Sequence, residues 1–320
     1  MTFTADIFER KVTDILIPGG KDYPALIGDD DLPFENAGIL KTTGFELQAK
    51  WSDKLANGFR YSVGVALSDD KAKVVSYPSN PTNKIGDGVL YKGYTVGDIW
   101  GYVTGGILQE GDFDGVGANG KPLYHGPYFK GGQAYPGYIW YQDLDHDGVI
   151  TTGLNTVDDP GDRKVIGNNA PRYRYNITAN FQYKGFDLDL MFQGVGKRDY
   201  WLSSTSSYWG NGAGSWEVYN NSWTPERTDA KFPMYGSGTG SYPQTGYLLD
   251  ASYIKLKQVI LGYTFPRALI NKIGLEKLRL NLAAYNLFTI SDMPKYYDAD
   301  YLSDAYPPKR TFSVGIQVGF

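Results

Sequence analysis

The sequence predicts an all-β fold, an antiparallel up-and-down transmembrane β-barrel portion of about eight strands. Three observations carry that expectation: strict alternation of apolar and polar residues in several segments, strand lengths matched to a bilayer, and connections that alternate between short and long.

Residues 2–12 form a weak first candidate. In 45–52, Phe45, Leu47, Ala49 and Trp51 share one face against Glu46, Gln48 and Lys50. In 59–68, Phe59, Tyr61, Val63, Val65 and Leu67 oppose Arg60, Ser62, Gly64 and Ala66. Residues 174–183 place Tyr175, Ile177, Ala179, Phe181 and Tyr183 against Arg174, Asn176, Thr178, Asn180 and Gln182. Residues 186–194 set Phe186, Leu188, Leu190 and Phe192 against Asp187, Asp189, Met191 and Gln193. Residues 250–264, with a register break near Lys257-Gln258, and 276–290 are weaker. The closing run 310–320 alternates cleanly, with Phe312, Val314, Ile316, Val318 and Phe320 on one face. A period of two residues is that of a strand with one apolar face.

The links run 13–42, 53–57, 69–171, 184–185, 197–249, 265–275 and 291–308. If the C-terminus is periplasmic, the short ones all fall on the periplasmic side and the long ones outside. The stretch 69–171 is the longest expected extracellular loop. A soluble β-sandwich would also alternate, with its apolar face turned to a core. Strands of 10–12 residues exceed the usual ~5–6 yet suit the ~9–11 needed to span a bilayer. Trp51, Tyr183, Tyr263, Phe265 and Phe320 fall at strand ends, where interfacial aromatic girdles sit.

Composition agrees with a turn-rich β protein: 27 Tyr, 15 Phe, 7 Trp and 40 Gly in 320 residues, with no Cys. The missing cysteines exclude disulfides, thiolate metal sites and a cysteine nucleophile. A net charge of -4 supplies no basic footprint, so nucleic acid is not an expected partner. The first residues, MTFTADIFERKVTD, lack the apolar core of a secretory signal.

The sharpest local motif is DLDHDGVIT, 143–151. Asp143, Asp145 and Asp147 at positions 1, 3 and 5, with Gly148 at 6, match the start of an EF-hand calcium loop. The expected ligands are Asp143, Asp145, Asp147, the Val149 carbonyl and Thr151, around a structural Ca2+. Leu154 occupies the position of the usual bidentate Glu, so Asp158, Asp159 or Asp162 would have to substitute. An ion-free Asp/Gly turn is the alternative.

The other constellations are weaker. His125 and His146 are the only histidines, and no zinc spacing is present. Asp187 and Asp189 read as solvated polar residues on a lumen-facing strand. The Gly210, Gly212, Gly214 and Gly236, Gly238, Gly240 runs do not sit between a strand and a helix, so no phosphate site is expected. Trp201, Trp209, Trp216 and Trp223, with Tyr200, Tyr208 and Tyr219, make 200–223 rich in aromatics, suited either to ligand contact or to packing within the loop. No nucleophile–base–acid set stands out, so the protein is not expected to be an enzyme.

The run 253–291, with Leu261-Gly262-Tyr263, Pro266 and Asn286-Leu287-Phe288, resembles the C-terminal barrel region of the SusC/RagA family of TonB-dependent outer-membrane transporters. Tyr306-Pro307 and Arg310-Thr311 add to it. Thr43-Gly44-Phe45-Glu46, Tyr141-Gln142-Asp143-Leu144-Asp145, Asp147-Gly148 and Trp223-Thr224-Pro225 follow the family order further upstream. The resemblance spans 1–320. Arg227 and Asp298-Ala299-Asp300 depart from the family pattern. The resemblance implies a location in the bacterial outer membrane and import of oligosaccharide or peptide nutrients with a SusD-like lipoprotein. It implies energy from TonB-ExbB-ExbD through an N-terminal region missing from these residues, as is the plug domain. The parent would be a barrel of roughly 22 strands, so eight strands alone are expected to form an open sheet. Two other readings stay open from sequence: a truncated barrel fragment without transport, and a calcium-stabilised surface binding or adhesion protein.

Overall fold

A computed structural model describes residues 1–19, 34–86, 88–201, 216–238, 241–295, 297–302 and 308–320. Its centre is one antiparallel sheet of eight strands, paired in sequence order. They are β1 (Thr2–Pro18), β2 (Phe34–Lys54), β3 (Arg60–Ser76), β4 (Arg172–Tyr183), β5 (Phe186–Lys197), β6 (Tyr253–Thr264), β7 (Lys277–Ile290) and β8 (Thr311–Gly319). The first and last strands are the sheet edges, each paired on one side among the described residues. The sheet is open, as expected.

The register explains the alternation. Trp51, Val63, Ala179, Leu190, Val259, Ala284 and Phe312 stand opposite one another in a single row across seven strands. The next row holds Tyr61, Phe181, Leu188, Leu261, Leu282 and Val314. This apolar face is not a core. Ile7 is 90% exposed, Val314 76% and Phe312 71%, and no second sheet covers it among the described residues. A sandwich would bury these side chains, whereas a barrel turns them to lipid.

The short links lie at one end of the sheet. Lys184 and Gly185 turn with φ 47 and 89, the left-handed pair of a two-residue hairpin. An added Cβ at Gly185 would stand 2.7 Å from the Thr264 carbonyl oxygen. Phe59 packs near Tyr61, Phe181 and Tyr183, and Phe186 lies 4.5 Å from Tyr263 between ring centroids. Phe265 touches Tyr263 at 4.9 Å, so the expected girdle residues Tyr183, Tyr263 and Phe265 share this rim. The 265–275 link carries a helical turn, Arg267–Ile270, followed by a tighter one, Asn271–Ile273.

Three strands outrun their predicted bounds. The 2–12, 45–52 and 59–68 segments extend to Pro18, start at Phe34 and reach Ser76. The added lengths break the strict alternation: apolar residues stand side by side in Ile15-Leu16-Ile17, Ile39-Leu40 and Val74-Val75, and the register shifts near Ile15 and Ile39. Backbone ladders need no apolar alternation, so these lengths leave no pattern in side chains. Link 13–42 contracts to 19–33 and link 69–171 to 77–171. The expected break at Lys257-Gln258 is present as a bulge: the β6–β7 register shifts between Leu256 and Gln258.

The long link is folded. Asp98–Tyr102 pairs with Arg163–Asn168, Thr104–Ile107 with Ile139–Tyr141, and Phe113–Val116 with Pro122–Tyr124. The main buried cluster sits here rather than in the sheet. Tyr102, Ile139, Tyr141 and Ile150 pack with Val218, Phe232 and Tyr247 from link 198–252 and with Met293, Tyr297 and Ala299 from link 291–310. Three loops therefore share one apolar core at the end opposite the short turns. No helix is long and apolar enough to cross a membrane, which says nothing of a β-barrel.

Candidate functional site

Two regions carry chemistry: the loop cap with its 143–151 turn, and the polar face of the sheet. In the turn, Asp143 accepts backbone N–H bonds from His146 and Gly148 at 2.7 and 2.8 Å. Asp145 accepts from Asp147 at 3.2 Å, and Asp147 from Val149 at 2.8 Å. His146 and Gly148 adopt φ 63 and 85, so the glycine serves the sharp turn. The fully buried Asp162 accepts from the amides of Leu144 and Thr151, both at 2.7 Å. Carboxylate oxygens of Asp143, Asp145 and Asp162 lie within 4.8 Å of one another.

Of the predicted ligands, the structure therefore gathers Asp143 and Asp145, and it selects Asp162 among the three substitutes. Asp147 lies along the same turn but outside that carboxylate grouping, and Val149 and Thr151 follow it in the chain. Thr151 Oγ1 accepts from the Gly153 amide at 3.1 Å. Leu154 is exposed and offers no ligand. Partial desolvation, then repulsion from Asp162, Asp147 and Asp143, raises the Asp145 pKa above the ordinary carboxylate value. For Asp143, desolvation acts upward, but the Gly148 and His146 amides outweigh it and the net shift is downward.

The cap is locked to itself by polar side chains. Buried Gln244 donates to the Tyr141 hydroxyl at 3.0 Å and accepts from Thr104 Oγ1 at 3.0 Å. Trp223 Nε1 donates to Gln109 at 2.9 Å, joining the two longest loops again. Rings of Tyr102, Phe129, Tyr141 and Tyr242 cluster at 5.0–6.5 Å. Burial there pushes the Tyr128 hydroxyl up to about 12. In the aromatic stretch 200–223, Trp223 is buried and Tyr200 bonds the Leu302 carbonyl, which is packing. Trp216 and Tyr219 are exposed in an edge-on contact. Tyr208, Trp209, Gly210, Gly212, Gly214, Gly240 and Tyr306-Pro307 lie outside the described residues.

The polar face holds ion pairs that the sequence did not reveal. Asp187 was expected to be solvated; instead it pairs with Arg279. The two belong to β5 and β7, and they meet over Gly262 of the intervening strand, where any side chain would collide with both. Asp189 accepts from Asn180 of the neighbouring strand. Lys255, 1% exposed, donates to both oxygens of Asp298 at 2.8 and 2.7 Å, while Lys257 and the Tyr253 hydroxyl reach Asp300 at 2.6 Å. Two lysines two residues apart on a strand thus meet two aspartates at the same spacing on loop 291–310. That matched spacing was the available sequence signal. His125 pairs with Asp114 at the exposed surface.

No protein-family model matches the chain. Among curated proteins it is 28% identical to TonB-dependent receptor P3 of Formosa agariphila over 98% of its own length and 32% of that receptor. It is 26% identical to TonB-dependent receptor P26 of the same organism, covering 89% of the chain and 30% of the relative. With TonB-dependent receptor SusC of Bacteroides thetaiotaomicron the identity is 24%, over 98% and 30%. The chain spans about a third of the length of the curated relatives it matches. Among solved structures, the RagAB peptide importer in its open-open state aligns with TM-score 0.70 at 19% identity, over 99% of this chain and 32% of that one. The closed-closed state gives TM-score 0.70 at 18% identity, over 99% and 33%. In sequence and in fold alike, the chain is SusC/RagA-like, resembling about a third of a TonB-dependent transporter.

Proposed function

We propose that the chain forms part of the wall and outer cap of an outer-membrane importer, a non-enzymatic scaffold through which oligosaccharide or peptide nutrients pass. The observation that carries this reading is the continuous exposed apolar face of the sheet, backed by a polar face and by short turns confined to one end. Likeness to SusC and to the RagAB peptide importer supports a SusD-like lipoprotein as partner and TonB-ExbB-ExbD as energy source. Contacts with that energy source would fall to segments other than those described. The chain's own contribution is a folded cap whose three loops share one apolar core.

Membrane fractionation of cells producing the protein, followed by uptake assays with and without a protonophore, tests this. Outer-membrane recovery and protonophore-sensitive uptake are expected. Recovery in a soluble fraction overturns the reading.

We also propose a structural calcium ion held by Asp143, Asp145 and Asp162. Three carboxylates gathered within 4.8 Å, with Asp145 raised by its neighbours, have the hard-oxygen chemistry that calcium prefers. Calcium should raise the melting temperature of the wild type, and Asp145→Ala should abolish that rise. A wild-type melting temperature indifferent to calcium sinks the proposal.

A further inference from the structure

The link from Phe265 to Glu276 is longer than joining β6 to β7 requires, since Lys184 and Gly185 alone turn β4 into β5 beside it. It is also a built element. Pro266 stands at the N-cap of Arg267–Ile270, and Asn271–Ile273 continues the turn. Gly274, at φ 73, ends it. The Gly274 amide donates to the Asn271 carbonyl and the Leu275 amide to the Ile270 carbonyl, both at 3.2 Å. That pair of bonds is a Schellman closure, which wants a left-handed residue where the glycine sits. Ile270 is 3% exposed and fixes the turn, whereas Leu269 and Ile273 are 57% and 67% exposed. Four residues apart on a helical turn, those two share a face.

This exposure does not come from an open sheet edge, because β6 and β7 are interior strands, each paired on both sides. The link also leaves and rejoins the sheet on its apolar face. Phe265 packs on Tyr263 of the aromatic rim, and its amide donates to the Leu278 carbonyl at 3.0 Å. The cavity at this end of the polar face is lined by Thr264 and Arg279 and, among the described residues, by nothing between them. The apolar pair is therefore continuous with the surface assigned to lipid. The charged residues of the link are Arg267 and Lys272, against Glu276 at the return to β7. On the neighbouring turn, Lys184 lies over the Tyr183 ring at 5.1 Å. Apolar side chains edged by cations mark a segment that lies in a membrane interface, with its cations at lipid phosphates.

We propose that the 265–276 link is an interfacial foot for anionic phospholipid: Leu269 and Ile273 enter the leaflet at the short-turn end, and Arg267 and Lys272 meet the headgroup phosphate. The proposal rests on the membrane reading and deepens it by naming a lipid partner. An aromatic girdle alone sits at the headgroup level through amphipathic rings and is indifferent to headgroup charge. A foot with two cations discriminates.

The test uses the protein purified from outer membranes and returned to vesicles of phosphatidylethanolamine and phosphatidylglycerol. The 320 residues contain no Cys, so Leu269→Cys, Ile273→Cys and, on the apolar face of β6, Leu261→Cys each add one thiol for a bimane label. Heat-modifiable gel mobility shows that each variant folds. Labels at 269 and 273 should be quenched by brominated acyl chains and shielded from iodide supplied on both sides of the bilayer. At equal mole fraction, brominated phosphatidylglycerol should be enriched at the 273 label about five-fold over brominated phosphatidylethanolamine, the gain from one basic side chain at an anionic headgroup. Combining Arg267→Gln with Lys272→Gln should bring that ratio to about one, while Arg267→Lys should keep it. Quenching by iodide at 269 and 273, shielding from both quenchers as under a protein cover, or equal quenching by the two lipids overturns the foot. If the 261 label is still quenched by lipid in those cases, the membrane reading stands without the foot; if it is not, both fall.

Discussion

Val65 tests the membrane reading most directly. It lies on β3, between Ala49 and Ile177 in the cross-strand row, and is 43% exposed. The row is the third in from the aromatic rim at Phe59. Two strand residues of ~3.4 Å each, tilted by ~40°, lift each row by ~5 Å, so Val65 stands ~15 Å from the rim of a ~25 Å apolar band. That is near the midplane. Arginine on the lipid face at that depth costs about 2–4 kcal/mol of folding free energy, falling to about 0–1 near the interface. On a water-exposed face the same change falls within about 0.5 kcal/mol. Ser313→Arg is the control: Ser313 sits on the polar face between Phe312 and Val314, and its cost should be the smaller one. Urea unfolding in phosphatidylcholine vesicles, followed by tryptophan fluorescence, measures both. Equal destabilisation by V65R and S313R would refute the assignment of the apolar face to lipid.

Asp162→Ala strips acceptors from two amides beside a buried site, at about 1–3 kcal/mol each; hydrogen exchange at Leu144 and Thr151 should accelerate, and unchanged protection contradicts the role. Lys255→Met leaves Asp298 without its cation, costing about 3–5 kcal/mol, while adding Asp298→Leu should recover much of that loss; thermal melts of the single and double variants decide. For Asp300, burial acts upward, yet the bonds from Lys257 and Tyr253 outweigh it and its pKa is lowered. A depressed folded pKa contributes stability above the unfolded value that is lost as pH falls through the folded one. Protease sensitivity of loop 291–302 should therefore stay flat through mild acid and rise only below the ordinary carboxylate range near ~3.9. Gly185→Ala forces a side chain to φ 89, at about 1–2 kcal/mol, and a chemical melt that shows no loss argues against the turn.

What the sequence determined by itself is the sheet. A strand that faces lipid on one side and a polar interior on the other must alternate, and that local constraint is written in Phe312 to Phe320 as plainly as in Phe45 to Trp51. Short turns and the break at Lys257 are local as well, and they too were legible. Tertiary structure alone decided the rest. The outer ends of β1–β3 pair through backbone groups, and their bulged, irregular side-chain order shows no period of two. Asp162 was one of three carboxylates within reach, and only the closure of its amide bonds to Leu144 and Thr151 singled it out. Lys255 and Asp298 lie 43 residues apart, as do Lys257 and Asp300. Contacts at such separations depend on how the loops fold back over the sheet, and no spacing within a single segment encodes that.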